Sequence, residues 1–223
     1  MRRSKTYLKD YNSVRYKSFR IHKLRRKKKL ILKLCMLLDR SYERNDTMPS
    51  WNSRGLRGST LEELINLTNE KYRANHLALI QKIPTPIKPI NIDKTTRHIT
   101  LAYFDQKSTV DYIGAVQGIP ICFDAKECAN DTFPLQNIHE HQIEFMKEFE
   151  QQGGVAFILI YYSSKDYFYY LRFKELLTFW ERAQQGGRKS FRYEELTPCY
   201  EISTNNGVFV HYLEMVNQDL ASR

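Results

Sequence analysis

Cysteine is scarce in this chain: four residues in 223, at Cys35, Cys122, Cys128 and Cys199, with no C-x-x-C pair among them. That spacing gives neither a disulfide framework nor a zinc ribbon, and reduced thiols in a cytosol are the default expectation. Glycine and proline are also sparse, at nine and seven, which excludes collagen-like and mucin-like chains. A long apolar run is missing too. The longest, Leu30–Leu38, is interrupted by Lys33 and falls far short of the roughly 20 residues that cross a bilayer. It follows a long basic stretch and runs into Asp39-Arg40-Ser41-Tyr42, so it lacks the short n-region and small-residue cleavage site of a signal peptide. No repeat of fixed period occurs.

What is present is enough apolar material for a core, 42% hydrophobic and 13% aromatic, and an excess of 35 Lys+Arg over 25 Asp+Glu. A net charge of +10 implies a polyanionic partner, either nucleic acid or an anionic membrane surface. The charge is unevenly placed. Residues 1–46 carry 16 Lys/Arg against 4 Asp/Glu, which leaves 19 against 21 for the other 177. Basicity therefore belongs to an N-terminal tail, residues 1–46, attached to a near-neutral body, residues 47–223. Within the tail, Leu24–Arg40 reads either as a basic amphipathic helix or as a solvated arm.

Along the body, Ser59 or Thr60 can cap a helix from Leu61 to about Arg73, with Glu62 or Glu63 reaching back. Leu77–Ile83 reads as a strand. The prolines at 84, 86 and 89 remove ladder donors, so something must protrude there. His98–Phe104 and Ile119–Ala125 read as the next strands, with a turn through Gly114 and Gly118 between them. A helix over Leu135–Phe149, strands at Val155–Tyr162 and Tyr167–Phe173, a helix over Phe173–Gln184, a late strand at Val208–Tyr212 and a last helix over Leu213–Leu220 complete the series. The order is mixed α/β, with the helix after the third strand crossing over to the fourth.

One constellation carries chemistry. In Ser108-Thr109-Val110-Asp111-Tyr112 and Phe123-Asp124-Ala125-Lys126-Glu127, residues two apart on extended chain share a face, so Asp124 and Lys126 point together, as do Thr109 and Asp111. If the turn folds the two segments together, two carboxylates, a hydroxyl and an ammonium converge. All-oxygen ligation favours Mg²⁺ or Mn²⁺ over zinc, and a divalent ion with a lysine suits phosphodiester hydrolysis. Gln142, on the following helix, is a candidate ligand or orienting group. Spacing alone equally allows a surface hairpin in which Lys126 merely pairs with Asp124. Arg188, Lys189 and Arg192 after Gly186-Gly187 are either a backbone-binding patch or a solvated loop.

Taken together, Ser53-Arg54-Gly55, Thr60-Leu61-Glu62-Glu63, Lys82–Pro86, Ala102-Tyr103-Phe104, Ser108–Tyr112, Phe123–Glu127, Phe133–Asn137, His139–Glu144 and Gly187–Ser190 resemble the RecU family of Holliday junction resolvases, within the wider PD-(D/E)xK nuclease superfamily. The resemblance runs from about Trp51 to Val216. It implies an α/β fold with a mixed β-sheet flanked by helices, a PD-(D/E)xK nuclease-like core, and a protruding stalk between the first two strands at about 84–97. It implies Mg²⁺, with Mn²⁺ as a substitute, held by Thr109, Asp111, Asp124 and Gln142, and a catalytic set of Asp111, Asp124 and Lys126. Arg54, Arg57, Lys82, Lys88, Lys94, Arg97, Arg188 and Lys189 are the implied DNA contacts.

The implied activity is that of an endodeoxyribonuclease which resolves four-way junctions by paired nicks during homologous recombination and DNA repair. It would work as a homodimer on branched DNA in the cytoplasm, associated with the nucleoid, with a recombinase as a further candidate partner. Three departures stand out: Asp124-Ala125-Lys126 replaces the usual Glu-x-Lys; the stalk segment is a few residues short and two extra residues follow Gly55; and the long basic tail has only a loose family counterpart. A decayed, non-catalytic protein that binds junctions or a recombinase is the alternative reading.

Overall fold

The computed structural model describes residues 61–105, 109–202 and 209–223. The basic tail and the expected contacts Arg54 and Arg57 lie outside the described residues. The chain divides into two compact units; one spans Met48–Met215, and of the other only Val216–Arg223 is described.

Helix α1 (Leu61–Ala74) forms because Leu61, Leu64, Ile65, Thr68 and Tyr72 recur on one buried stripe, while Glu62 and Glu63 open it and Lys71 and Arg73 close it, opposing the helix dipole. It stops where His76 turns to φ 55°. Leu77 N–H then bonds the Tyr72 carbonyl at 2.9 Å and His76 N–H the Arg73 carbonyl at 3.1 Å, which caps orphan carbonyls of the last turn.

Strand β1 (Ala78–Lys82) pairs antiparallel with β4 (Tyr112–Val116), and β4 with β5 (Ile119–Cys128). Gln117 and Gly118, both at positive φ, make the tight β4–β5 turn. Between β1 and β4 the chain leaves the sheet as a separate hairpin, β2 (Ile87–Ile92) with β3 (Ile99–Phe104). After β5 comes β6 (Thr132–Pro134), a 3-10 turn at Leu135–Asn137, and α2 (Glu140–Gln151). This helix carries the chain to β7 (Val155–Tyr162), parallel to β5, and β8 (Tyr167–Arg172) returns antiparallel. Then follow α3 (Phe173–Gln184), β9 (Ser190–Arg192) against β6, β10 (Glu201–Ile202) against β8, and α4 (Tyr212–Ser222). Among the described residues the main sheet has the order β1-β4-β5-β7-β8-β10.

Alternation sets the two faces of this sheet. One face carries a run of rings: Phe123 stacks on Tyr112 (4.7 Å between centroids) and on Phe157 (4.8 Å), and Phe157 stacks on Tyr170 (4.3 Å). Tyr212 also packs on Phe123 and Phe157, and meets Tyr72 of α1 edge-on. Such pairs each add about 0.5–1.5 kcal/mol beyond area burial. Their hydroxyls are satisfied: Tyr72 bonds His211 Nδ1 at 2.7 Å, Tyr212 bonds Asn69 Oδ1, and Tyr112 donates to Asn66 Oδ1 at 3.1 Å.

The structure corrects several of the sequence expectations. Ile99–Phe104 is not the second strand of the main sheet but one arm of a separate two-stranded hairpin. That hairpin pairs Ile87–Ile92 with Ile99–Phe104 and overlaps the segment 84–97 in which a stalk is expected. The second strand of the main sheet is Tyr112–Val116, with Gly114 in its middle rather than in a turn. A Cβ at Gly114 would lie 2.2 Å from the Leu79 carbonyl oxygen, so glycine serves there for close approach between strands. Leu135–Asn137 is a separate turn, since Ile138 and His139 are extended. Phe209 and Val210 form a bend rather than a strand, and the last helix starts at Tyr212.

Candidate active site

The opposite face of β5 presents Cys122, Asp124, Lys126 and Cys128 by alternation. Register across β5 and β7 sets Ile158 beside Asp124 and Ile160 beside Lys126, both fully buried, which gives the charged groups a dry floor. Asp111 immediately precedes β4. Because Tyr112 faces Phe123 in register, Asp111 falls next to Asp124, and the two residues clasp each other. Asp111 N–H donates to Asp124 Oδ1 at 3.1 Å, and Ala125 N–H donates to Asp111 Oδ2 at 2.9 Å.

Asp124 has no exposed surface. A buried carboxylate survives only when paired and hydrogen-bonded, and this one is both. Lys126 Nζ lies 2.6 Å from Oδ2, and Gln142 Nε2 donates to the same oxygen at 2.9 Å. Lys126 is 22% exposed, so the ammonium joins a sealed carboxylate to the surface. Asp111 is held above its ordinary range, at about 6. Burial is the main cause, followed by the hydrogen bond and negative charge of Asp124, while Ala125 N–H and Lys126 oppose the rise. Two acids that resist joint ionisation are a seat for a cation.

The donor set suits one kind of ion. Among the described residues no group of three or more His, Cys, Asp or Glu comes together, so a cation here would meet two side-chain carboxylates rather than a full protein cage. Mg²⁺ is commonly held by one or two carboxylates, with waters and substrate phosphates completing its octahedron, and Asp111 and Asp124 offer that number. Thr109 stands two residues before Asp111 in the connection leading into β4, half-buried. Gln142 reaches the acid pair with its amide nitrogen, since its Oε1 already accepts the His139 N–H at 3.0 Å.

The expected cationic contacts fall into two groups. Lys88 on β2 and Lys94 and Arg97 at the hairpin tip are exposed. At that tip Asp93 accepts Thr96 Oγ1 and Thr95 N–H, each at 2.8 Å, and these bonds hold its carboxyl below the usual range. The others are tied down. Lys82 is ion-paired with Glu62, and Arg188 shares Glu195 with Arg182, at 3.4 and 2.6 Å. Glu195 also accepts Arg192 N–H at 2.7 Å, and its carboxyl is held low, by Arg182 first. Lys189 remains exposed. Glu195 was not singled out in the sequence because nothing in Tyr193-Glu194-Glu195 marks which acid turns back on the arginines.

A mixed-sheet α/β fold that brings two acids, one of them sealed, together with a lysine on adjoining strands defines a candidate catalytic site. The comparisons place it more narrowly. The profile of the family described as Recombination protein U matches residues 56–218. The chain is 42% identical over 175 residues to the Holliday junction resolvase RecU of Bacillus subtilis (strain 168), covering 76% of this chain and 82% of that one. It is 41% identical over 172 residues to the Holliday junction resolvase RecU of Levilactobacillus brevis (75% and 86% covered) and 45% identical over 152 residues to that of Bacillus pumilus (66% and 73%). The chain belongs to the RecU family.

Proposed function

We propose that this protein is a Mg²⁺-dependent endodeoxyribonuclease that resolves four-way DNA junctions by paired symmetric nicks; its relatives' name, Holliday junction resolvase, supports the junction-resolving part of this reading. The observation that carries the reading is the Asp111–Asp124–Lys126 clasp on β4 and β5, in a chain of that family. Asp111 and Asp124 would hold the ion, which when bound polarises a phosphate oxygen and lowers the pKa of an adjacent water. Lys126 stabilises the charge that gathers on the phosphoryl oxygens as the bond breaks. Ile158 and Ile160 keep the site floor dry, which strengthens each of these interactions.

Paired nicks require two such sites related by a two-fold axis, hence a homodimer. The β2–β3 hairpin, with Lys88, Lys94 and Arg97 exposed, is the element that would enter the junction. The +12 tail adds phosphate neutralisation that is independent of sequence. Among the described residues no helix is long and apolar enough to cross a membrane. A place of action on the nucleoid in the cytoplasm follows from the DNA substrate.

The test is incubation with a mobile four-way junction in Mg²⁺ and in EDTA, mapping nicks on all four strands. Opposed, symmetric nicks that need the metal are the expected result. A junction shifted on a gel yet never nicked, in Mg²⁺ or Mn²⁺, would instead identify a binding protein with a decayed site.

A further inference from the structure

We infer that Gln142 acts on this site through Asp124, as a positioning residue, and that its carbonyl oxygen is committed to the helix start rather than to a metal ion. The inference deepens the metal-dependent reading above and rests on it. Gln142 sits in the first turn of α2 and is 6% exposed. An amide side chain has one accepting end and one donating end, and both are engaged here. His139 N–H, a helix-start donor with no intrahelical partner of its own, donates to Oε1 at 3.0 Å, and Nε2 donates to Asp124 Oδ2 at 2.9 Å.

The reverse orientation would set the NH₂ against the His139 N–H and the carbonyl oxygen against a carboxylate. Two hydrogen bonds would become two repulsive contacts, and each buried group left unsatisfied costs about 1–3 kcal/mol. The start of α2 therefore dictates which end of Gln142 meets Asp124. Asp124 is in turn fixed from three elements: Asp111 N–H at the head of β4, Lys126 on β5 and Gln142 on α2. Donors on both oxygens hold its carboxylate in one rotamer, which is the preorganisation a metal-binding acid needs.

The experiment uses the full chain with ¹³C-labelled Asp and Gln side-chain carbonyl carbons, assigned by the signals lost in Q142M, D111N and D124N. In metal-free protein, Gln142→Met should move the Asp124 ¹³Cγ resonance, because it removes a donor from Oδ2. An unmoved resonance overturns the inference. On adding Mg²⁺ to the wild type, the Asp111 and Asp124 ¹³Cγ signals should shift while Gln142 ¹³Cδ stays in place; a Gln142 signal that moves with them makes it a ligand and also overturns the inference. If neither Asp signal responds to Mg²⁺, the metal-dependent reading fails instead, and the metal-free comparison still decides the role of Gln142. Q142M should slow single-turnover cleavage roughly tenfold. Gln142→Glu keeps an oxygen for His139 N–H but loses the donor, and should be slowed similarly; wild-type cleavage by Q142E counts against positioning.

Discussion

Two regions of this chain stand in opposite relation to water. In the main sheet, β7 is buried along almost its whole length and even the charge on Asp124 is sealed. In the β2–β3 hairpin, Ile87, Ile90, Ile92, Ile99, Leu101, Tyr103 and Phe104 are all exposed, Phe104 at 76%. A two-stranded ribbon has no second layer to bury its apolar side chains, so the hairpin contributes little to the stability of the subunit. The sheet, by contrast, holds both the folding energy and the polar groups that need shielding. Chemistry sits where the scaffold is stiffest, and the region suited to meeting a partner sits where the scaffold ends.

The comparison breaks most visibly at Asp124. D124N should lower junction cleavage by at least roughly 10²- to 10³-fold, because on the proposed mechanism it removes an oxygen that holds the ion, together with the partner of Lys126. Junction binding measured by gel shift should persist, since the hairpin and tail are untouched. Cleavage that survives in D124N would remove the sealed acid from the mechanism and leave the sheet with no more chemistry than the hairpin.

Next in size is a purely structural break. Gly114→Ala places a methyl group where the Leu79 carbonyl oxygen already lies, at 2.2 Å, and the nearby atoms are mostly backbone, which cannot swing aside. Urea denaturation should show a loss of about 2–3 kcal/mol. A loss of that size from one methyl group would confirm the rigidity of the sheet at β1 and β4. Exchanging Phe104 for Ser in the hairpin should change subunit stability by no more than about 0.5 kcal/mol, measured under the same conditions at the lowest workable concentration.

A third test concerns charge. Replacing Lys88, Lys94 and Arg97 together by alanine should reduce the salt slope of junction binding by about 2 to 3, each phosphate contact contributing about 0.9. Affinity at moderate salt should fall about tenfold, while single-turnover cleavage of fully bound junction stays near the wild-type rate. An unchanged slope would mean that the hairpin cations do not face DNA, and that the tail and body carry the electrostatics.

These contrasts explain which features could be read from residues alone. The pairing of Asp124 with Lys126 was legible because they sit at i and i+2 within Ile119–Cys128, a strand whose apolar residues announce a packed face. The chain's departure from the main sheet was legible from Pro84, Pro86 and Pro89. Its true extent was not. Ile99–Phe104 alternates like a sheet strand, and sequence periodicity does not report whether a second layer covers the apolar side. Gly114 was misread for a related reason: a glycine in a turn and one forced by a neighbouring backbone look alike until the neighbour is known. The pairing of Arg188 with Glu195 depends on a contact between side chains of a folded loop, and no periodicity records it.

The last expected effect is a pH dependence, and it returns to the difference between a buried acid and one at the hairpin tip. Asp111 has a folded-state pKa of about 6 against an ordinary value of 3.8. The folded, metal-free chain thus binds a proton at this site more tightly than the unfolded chain does. Stability from this group is present in full below pH 3.8 and is lost as pH rises through 6. Since Asp111 keeps some contact with solvent, the loss amounts to no more than about 2 kcal/mol. Thermal unfolding in EDTA should therefore show wild type losing stability relative to D111N between about pH 4 and 7. Mg²⁺ competes for the site with that proton, so its affinity should rise across the same interval and level off above it. Asp93, at the hairpin tip with its carboxyl held low by Thr96 and Thr95, works in the opposite sense: what it contributes is lost only as the solution becomes acidic. Parallel pH profiles for wild type and D111N would show that Asp111 ionises as freely as a surface acid, and the contrast between sheet and hairpin would not extend to their carboxylates.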